Sequence, residues 1–292
     1  MTVTGPSMTI PGLPSFNAGN PNFKVTGFDG WWNTAKPRAE LVASGAGDGA
    51  VAVGPWNFAE AYYTLSGLIH STDRPTLMGY RRALLAAFPA NAESTVTVLG
   101  NSEDVDLIID VRRYDIPDIR VEANNLLFTV PLVAVDPFKY AASLLSGSMT
   151  AFNGTVWFQL FTIDTVPNPD QFFHALTQDT VAAALQAAVL NSPGDVTSRR
   201  LTIDVSGPLL AGDWFLLHEN TGRHLFTDLA LASGSVIEFD CYRQRAYLDG
   251  QPIDQHVFGD YLTLEPGVNT YRLITGSVST GTASVQGRPA YQ

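Results

Sequence analysis

The chain has 292 residues, of which 45% are hydrophobic and 11% aromatic, so it can bury the cores of about two ordinary domains and is not a disordered protein. Its 17 basic and 28 acidic residues give a net charge of −11, and both halves are acidic. This balance argues against nucleic-acid recognition, because phosphate contacts require clustered Lys and Arg.

Membrane insertion and disulfide chemistry are also disfavoured. No run of about 18 apolar residues occurs, and the segment from Met1 to Pro14 lacks a basic region followed by an apolar core. We therefore expect a protein that is made and kept in solution, such as a component assembled in the cytoplasm. The single cysteine, Cys241, excludes an intrachain disulfide, and its aromatic neighbours indicate a structural thiol in a strand rather than a nucleophile.

The first half predicts an extended arm followed by short strands. Residues 1–22 are rich in Pro, Gly, Asn and Ser, which is typical of an irregular or extended segment. Beyond Phe23, apolar and β-branched runs alternate with turn residues, and residues 44–49 form a glycine-rich loop between strands. The strands predicted here are Ala39–Val42, Ala50–Phe58, Glu60–Ile69, Ser94–Leu99, Val105–Tyr114 and Leu126–Ala134.

One helix is predicted in this half, between residues 72 and 88. Thr72 or Asp73 can accept its first free N–H groups, Pro75 suits its first turn, and Pro89 ends it. Its apolar residues recur at helical spacing, and we expect this stripe to pack on a sheet, with partner binding as the alternative. The stripe consists of Leu77, Tyr80, Leu84, Leu85 and Phe88.

A domain boundary is predicted after the Asp136-Pro137 turn, in the serine-rich stretch that holds Ser143, Ser146 and Ser148. The prediction is thus an arm (1–22), a first β domain (23–142) and a second β domain (143–292). In the second domain, strands are expected around Thr155–Thr162, and the Ala-rich spacing of residues 169–188 predicts a helix.

From Arg200 onward the pattern is purely β, with turn signals at regular intervals, which is typical of a sandwich or jelly roll. The predicted strands are Leu201–Val205, Trp214–His218, His224–Leu231, Ser235–Tyr242, Ala246–Leu248, Tyr261–Leu264, Thr270–Ile274 and Ser284–Tyr291.

Candidate catalytic and metal-binding residues are few. His218 and His224 flank a turn, so a hairpin could bring them together, with Asp213 or Glu219 nearby, as a metal cluster. Solvated histidines are the alternative, and they are commoner beside turns.

The sequence contains two groups of acidic residues, one at Glu103, Asp104 and Asp106 and the other at Asp249, Asp254 and Asp260 around His256. Neither has the ligand spacing of a calcium loop, and a solvated face is the simpler interpretation. A glycosidase needs two carboxylates about 5–10 Å apart, which a sequence with 28 acidic residues does not specify.

Exposed aromatic rings can stack on sugars, and five in the second domain are candidates: Trp214, Tyr242, Tyr247, Tyr261 and Tyr271. Each lies in or beside a strand pattern, where burial is the alternative. The sequence therefore predicts no catalytic, cofactor-binding or metal-binding residues and no enzyme.

Two stretches taken together resemble the distal tail proteins of siphophages. One is Val133–Tyr140 (VAVDPFKY), similar to the Asp-Pro…Tyr segment at that family's domain junction. The other is the ordered series of strands and turns that runs from Leu201–Gly207 through Asn220-Thr221-Gly222 and Ser233–Asp240 to Leu264–Asn269.

The resemblance implies a mainly β protein in which a sandwich-like or barrel-like first domain with one helix forms a six-fold ring around the tail lumen. The second domain would be a galectin-like sandwich, or jelly roll, that supports tail-tip or receptor-binding proteins, with the 169–188 helix as an insertion. The chain would then be a virion protein that connects the tail tube to the adhesion apparatus. The alternatives are a carbohydrate-binding module that contacts the host envelope and, third, a glycan-cleaving enzyme.

Overall fold

The computed structural model describes residues 6–34, 36–43, 50–100, 105–152 and 186–292, and the fold is mainly β, as predicted. The chain divides into two compact units. Unit 1 consists of Met1–Ser143 together with Ala290–Gln292, and unit 2 consists of Leu144–Pro289. The last residues of the sequence therefore belong to unit 1, although the sequence analysis placed them in the second domain.

Unit 1 is built on a sheet that contains nine strands within the described residues. Its main path runs β1-β6-β7-β9-β5-β2, with β8 on β9, β10 on β7 and β22 on β10, while β3 and β4 form a separate hairpin. The elements are β1 (Ser7–Thr9), β2 (Phe23–Asp29), β3 (Pro37–Ala43), β4 (Ala50–Phe58), β5 (Ala61–His70), α1 (Arg74–Ala87), β6 (Ser94–Leu99), β7 (Leu107–Arg113), β8 (Asp118–Glu122), β9 (Asn125–Ala134), β10 (Lys139–Ala141) and β22 (Ala290–Tyr291).

Strand alternation and α1 together close the core of unit 1. On β5, Tyr63, Leu65 and Ile69 are buried while the intervening side chains are more exposed, as the period of two requires. The helix begins at the predicted cap, where the Asp73 carboxylate accepts the Thr76 N–H at 3.0 Å. Its buried residues include Leu77, and it packs on β5 and β9, as its apolar stripe predicts.

The predicted arm, residues 1–22, is largely irregular, but several of its described apolar residues are part of the core. Met8, Ile10 and Phe16 are fully buried, and β1 pairs with β6. The Phe16 ring meets Phe23 edge-on at a centroid distance of 5.4 Å. The sequence pattern missed this packing because the apolar residues are separated by Pro and Gly and follow neither the helical nor the strand period.

Unit 2 contains an eleven-stranded sheet within the described residues. Its path runs β18-β17-β16-β13-β21-β11-β20-β14-β15-β19, with β12 on β20. The elements are β11 (Leu145–Phe152), β12 (Ala187–Ser192), β13 (Leu201–Ser206), β14 (Trp214–His218), β15 (Arg223–Thr227), β16 (Val236–Asp240), β17 (Arg245–Leu248), β18 (Gln251–Pro252), a 3-10 helix (Asp254–His256), β19 (Val257–Gly259), β20 (Gly267–Thr275) and β21 (Thr282–Gly287).

This sheet curls on itself and encloses its own core. Trp214 on β14 and Phe239 on β16 lie far apart along the strand path, yet their ring centroids are 6.4 Å apart. Both rings are buried, together with inward residues from most of the other strands. The two halves of the path therefore face each other across one apolar core.

The serine-rich stretch in which the domain boundary is predicted contains strand β11, where Met149 is buried and Ser148 and Thr150 point outward. Two other predictions in this region need correction. The predicted helix at 169–188 lies outside the described residues up to 185, and its last two residues instead open β12, which pairs with β20. Residues 261–264 form no strand, because only Leu264 makes a single bridge, to Ser198. The strand predicted around 155–162 lies outside the described residues.

In the described part of the chain, no helix has both the length and the hydropathy needed to span a bilayer.

Candidate assembly surfaces

The structure keeps apart the two histidines that are candidates for a metal cluster. Across the β14–β15 hairpin His218 pairs with Arg223, whereas His224 pairs with Leu217. Neighbouring positions on a strand point to opposite faces, so His218 is fully buried and His224 is exposed. Among the described residues, no three His, Cys, Asp or Glu side chains are grouped as metal ligands.

His218 instead joins two turns of unit 2, an arrangement named here the turn lock (His218, Asn220, Thr221 and Asn269). Its Nε2 lies 3.1 Å from Asn269 Oδ1, and its Nδ1 lies 3.0 Å from Thr221 Oγ1. Asn220 spans the same gap, since its amide donates to the Val268 carbonyl and accepts the Thr270 N–H. The Asn-Thr-Gly and Pro-Gly-Val-Asn signals in the sequence therefore mark two turns that hold each other in place.

Three of the candidate acidic residues each accept a hydrogen bond from a different part of the backbone. Asp254 accepts the Ala246 N–H at 2.9 Å and pairs with Arg245, and these two contacts lower its pKa. Asp249 accepts the Val236 N–H at 2.9 Å. In the other group, Asp106 accepts the Gly100 N–H, whereas Glu103 and Asp104 lie outside the described residues.

Two of the five candidate sugar-stacking rings are inside the core, which is the alternative that their strand positions favour. Trp214 is only 2% exposed, and Tyr271 is buried in a stack on the His218 ring at 4.6 Å. Tyr242 is exposed, but the Arg200 guanidinium lies 4.9 Å from its ring centroid. The remaining two candidates, Tyr247 and Tyr261, are half-buried. These aromatics do not form a common exposed platform.

The thiol of Cys241 is buried, and burial raises its pKa to about 12. A thiol is reactive only as the thiolate, so a nucleophilic role would need the opposite shift. The position of Cys241 in the core agrees with its interpretation as a structural residue.

The Asp-Pro…Tyr segment forms a hydrogen-bonded turn in unit 1. The Asp136 carboxylate accepts the Phe138 N–H at 3.2 Å and the Tyr140 hydroxyl at 2.5 Å. Tyr140 is buried on β10, between β7 and β22. The motif therefore positions the strand at which the chain leaves unit 1.

Exposed apolar side chains gather at one end of the unit 1 sheet. The register pairs Asp29 with Thr64, Ala61 with Ala134 and Arg113 with Leu132, so the ends of β2, β7 and β9 lie at the same end of the sheet as the start of β5. The residues that follow or precede these ends are named here the aromatic rim: Trp32, Phe58, Tyr62, Tyr114, Ile116 and Val135, all more than a third exposed.

The rim side chains form contacting pairs. Tyr62 and Tyr114 meet edge-to-face at a centroid distance of 5.2 Å and are 56% and 51% exposed, and Phe58 meets Phe138 in the same way at 5.0 Å. Trp32 is 68% exposed. Monomeric proteins rarely display such a group, and protein interfaces are enriched in Tyr, Trp and Phe.

A row of apolar side chains, partly exposed, crosses unit 2. Strand register places Phe226 beside Phe258, and the buried Ile274 beside Phe215 and Phe152. The Phe226 and Phe258 rings stack at 5.4 Å. This aromatic row and the rim were both missed in the sequence, since their members are far apart along the chain and only the register brings them together.

The mainly β fold of this chain is similar to the folds of two solved phage structural proteins. The chain matches the SPP1 Dit protein, described as a paradigm of the hub adsorption apparatus in phages that infect Gram-positive hosts, with a TM-score of 0.59 and 11% identity over 97% of this chain and 98% of that one. It also matches a chain of the phage P2 baseplate in its activated conformation with Ca, with a TM-score of 0.51 and 9% identity over 94% and 93% of the two chains. No protein-family model and no curated protein matches the sequence.

Proposed function

We propose that this chain is a structural, non-enzymatic protein of a bacteriophage tail tip, where six copies form a ring-shaped hub between the tail tube and the tail-tip or receptor-binding proteins. The observation that carries the proposal is the fold match to the SPP1 Dit hub protein over 97% of this chain and 98% of that one. Because identity is only 11%, the match supports the architecture, and the role is inferred from it together with the surfaces of the chain.

Unit 1 would form the ring. The aromatic rim gives it an exposed apolar surface of the composition found in protein interfaces. Ring formation repeats one heterologous contact around a closed axis, so a rim at one end of the sheet needs a complementary surface elsewhere on the next copy. In this proposal residues 23–142 act as the ring-forming domain and residues 143–292 as the galectin-like domain that supports neighbouring proteins.

The contacts of the candidate catalytic side chains support a non-enzymatic role. His218 holds two turns together, Cys241 is buried, and Asp254 is engaged by Arg245 and a backbone N–H. An active site needs convergent groups in a cleft that substrate can enter. The proposed role needs neither a cofactor nor a nucleic-acid partner, and the virion tail tip is the proposed location, after assembly in the host cytoplasm.

The test is the mass and shape of the purified full chain, measured by light scattering and negative-stain microscopy. A ring with six times the 31.5 kDa chain mass is expected. The double variant Tyr62→Ser/Tyr114→Ser removes two exposed rim rings and should shift the population to smaller species. Val278→Ser is the control, because Val278 is 88% exposed and belongs to unit 2 rather than to the rim residues.

A chain that stays monomeric at high concentration would count against the hub. A ring that is equally stable in the rim variant would retain the hub but exclude the rim as its contact surface.

A further inference from the structure

The outward face of four strands of unit 2 carries a polar groove. Strands β11, β21, β13 and β16 lie side by side, and their register places Ser148 beside Ser284, Ser284 beside Asp204, and Asp204 beside Glu238. The groove has a volume of about 360 Å³, within the range of small-molecule sites. It is lined by Ser148, Met149, Thr150, Asp204, Ser206, Thr282, Ala283 and Ser284.

Strand alternation makes this surface chemically uniform. Met149, Ala283 and Val205 point into the core and are buried, while the residues between them point outward. Five of the outward lining residues carry hydroxyl groups, and each hydroxyl can both donate and accept a hydrogen bond. The groove therefore offers many neutral hydrogen-bonding groups and a single charge, that of Asp204.

Asp204 lies at the centre of this surface, where its surroundings disfavour the charged form of its carboxyl group. Its carboxyl group is half-buried, and this burial raises its pKa, although a hydrogen bond from Ser284 opposes the shift. Glu238 stands directly opposite on the next strand, and like charges at opposed positions destabilise a sheet. Within the described residues, no Lys, Arg or His forms an ion pair with either carboxylate.

We propose that this groove binds a neutral sugar unit, with Asp204 accepting hydrogen bonds from ligand hydroxyls and Thr150, Ser206 and Thr282 exchanging hydrogen bonds with the others. A polyhydroxy ligand supplies donors to the carboxylate and matches the hydroxyl lining on both sides. The site is distinct from the predicted Trp214 platform and does not rest on the hub proposal.

Other ligand classes fit the groove less well. An anionic ligand would be repelled by the Asp204 carboxylate and would meet no basic side chain in the lining. A divalent cation would need a third acidic or histidine ligand, and the described residues provide no such group. A basic peptide segment would be attracted by Asp204 and Glu238, but five neutral hydroxyls provide no further charge for it.

The test uses the full chain and saturation-transfer NMR with glucose, galactose, rhamnose and N-acetylglucosamine as probes. At least one sugar should give ring-proton signals that a titration fits to one site. Thr150→Val and Thr282→Val replace a hydroxyl with a methyl group of the same shape on exposed strand positions, so they should retain the fold. Each should weaken binding at least tenfold, as should Asp204→Asn. The control is Asp260→Asn, an exposed acid outside the groove, which should bind like the parent chain.

Absence of signal from all four sugars would overturn the proposal. So would binding that the three groove variants leave unchanged, or binding of a Lys-rich peptide that Asp204→Asn abolishes while no sugar binds. Light scattering on the same samples separates this result from the hub, because loss of sugar binding in an intact ring concerns the groove alone.

Discussion

The amide of Asn269 determines which nitrogen of the His218 ring carries the proton. Asn269 Nδ2 donates to the carbonyls of Glu265 and Gly267 at 2.7 and 2.9 Å, and its Oδ1 accepts the Glu265 N–H at 2.8 Å. The oxygen that faces His218 is therefore an acceptor, so Nε2 donates to it and Nδ1 accepts from Thr221. The buried ring satisfies both of its nitrogens in the neutral form.

This arrangement predicts that unit 2 loses stability in mild acid. Burial lowers the pKa of His218 below the ordinary 6.5, although the hydrogen bond that its ring donates to Asn269 opposes the shift. The unfolded chain then binds a proton at a pH where the folded chain does not, so the free energy of unfolding falls as pH drops below 6.5 towards the folded pKa. Thermal melts between pH 5 and pH 8 should show this slope.

His218→Phe should flatten that slope, because it keeps a ring to stack on Tyr271 and removes the titrating group. Asn269 Oδ1 retains its bond from Glu265 in this variant. The control is His224→Asn on the exposed face of the same hairpin, which should keep the parent slope. An identical slope in His218→Phe and the parent would show that another group is responsible.

Two glycines of unit 1 should respond to alanine in opposite directions. A Cβ at Gly67 would lie 2.4 Å from the Phe128 ring and 2.6 Å from the Lys24 carbonyl, whereas one at Gly79 would meet nothing within 4 Å. We expect Gly67→Ala to cost about 1–3 kcal/mol through overpacking. Gly79→Ala, in the exposed middle of α1, should stabilise by about 0.5–1 kcal/mol. Urea midpoints measure both, and equal shifts would contradict the close packing at Gly67.

Cys241 should be inert to thiol reagents in the folded chain. With a pKa of about 12 it forms thiolate in roughly one molecule in 10⁴ at pH 8, and the sulfur is buried as well. Ellman's reagent should react with one thiol per chain in 6 M guanidinium and with almost none in buffer. Rapid reaction of the native protein would show that the core around β16 opens readily.

Tyr140→Phe should lower the free energy of unfolding of unit 1 while the ring keeps its packing in the core. The variant loses one hydrogen bond to the Asp136 carboxylate, for which a cost of about 1.5–3 kcal/mol is typical. Tyr114→Phe is the control, because it removes an exposed hydroxyl and keeps the ring against Tyr62. Denaturant unfolding of the two variants should separate them, and equal midpoints would mean that the Asp136 bond adds nothing.

Local signals predicted much of the fold. The strands Ala50–Phe58 and Ser94–Leu99 occur at the predicted residues, and α1 begins after the predicted Asp73 cap. These segments carry their pattern within about ten residues, where alternation and capping act. By contrast the sequence predicts no strand at β11, because its hydroxyl side chains alternate with small or single apolar residues and make little periodic contrast.

The surfaces were harder to predict than the strands, because they depend on register between distant segments. Tyr62 and Tyr114 are 52 positions apart, and only the β5–β9–β7 pairing brings their rings into contact. Strand register also assembles the polar groove of unit 2, where Ser148, Ser284 and Asp204 come from three strands. Register also keeps His218 and His224 apart, because a one-residue offset in their hairpin places the two side chains on opposite faces.

The pairing of Ala290 with Tyr140 sets the order in which the chain can finish folding as it is synthesised. Residues up to Ser143 emerge from the ribosome first, but β10 of unit 1 has no outer neighbour until residue 291 has been translated, after all of unit 2. The edge of β10 therefore stays open to wrong partners for the time needed to make nearly 150 residues, and at ordinary translation rates this is about ten seconds. A nascent chain stalled before residue 289 should consequently be more prone to aggregate, and more accessible to protease near β10, than the released protein.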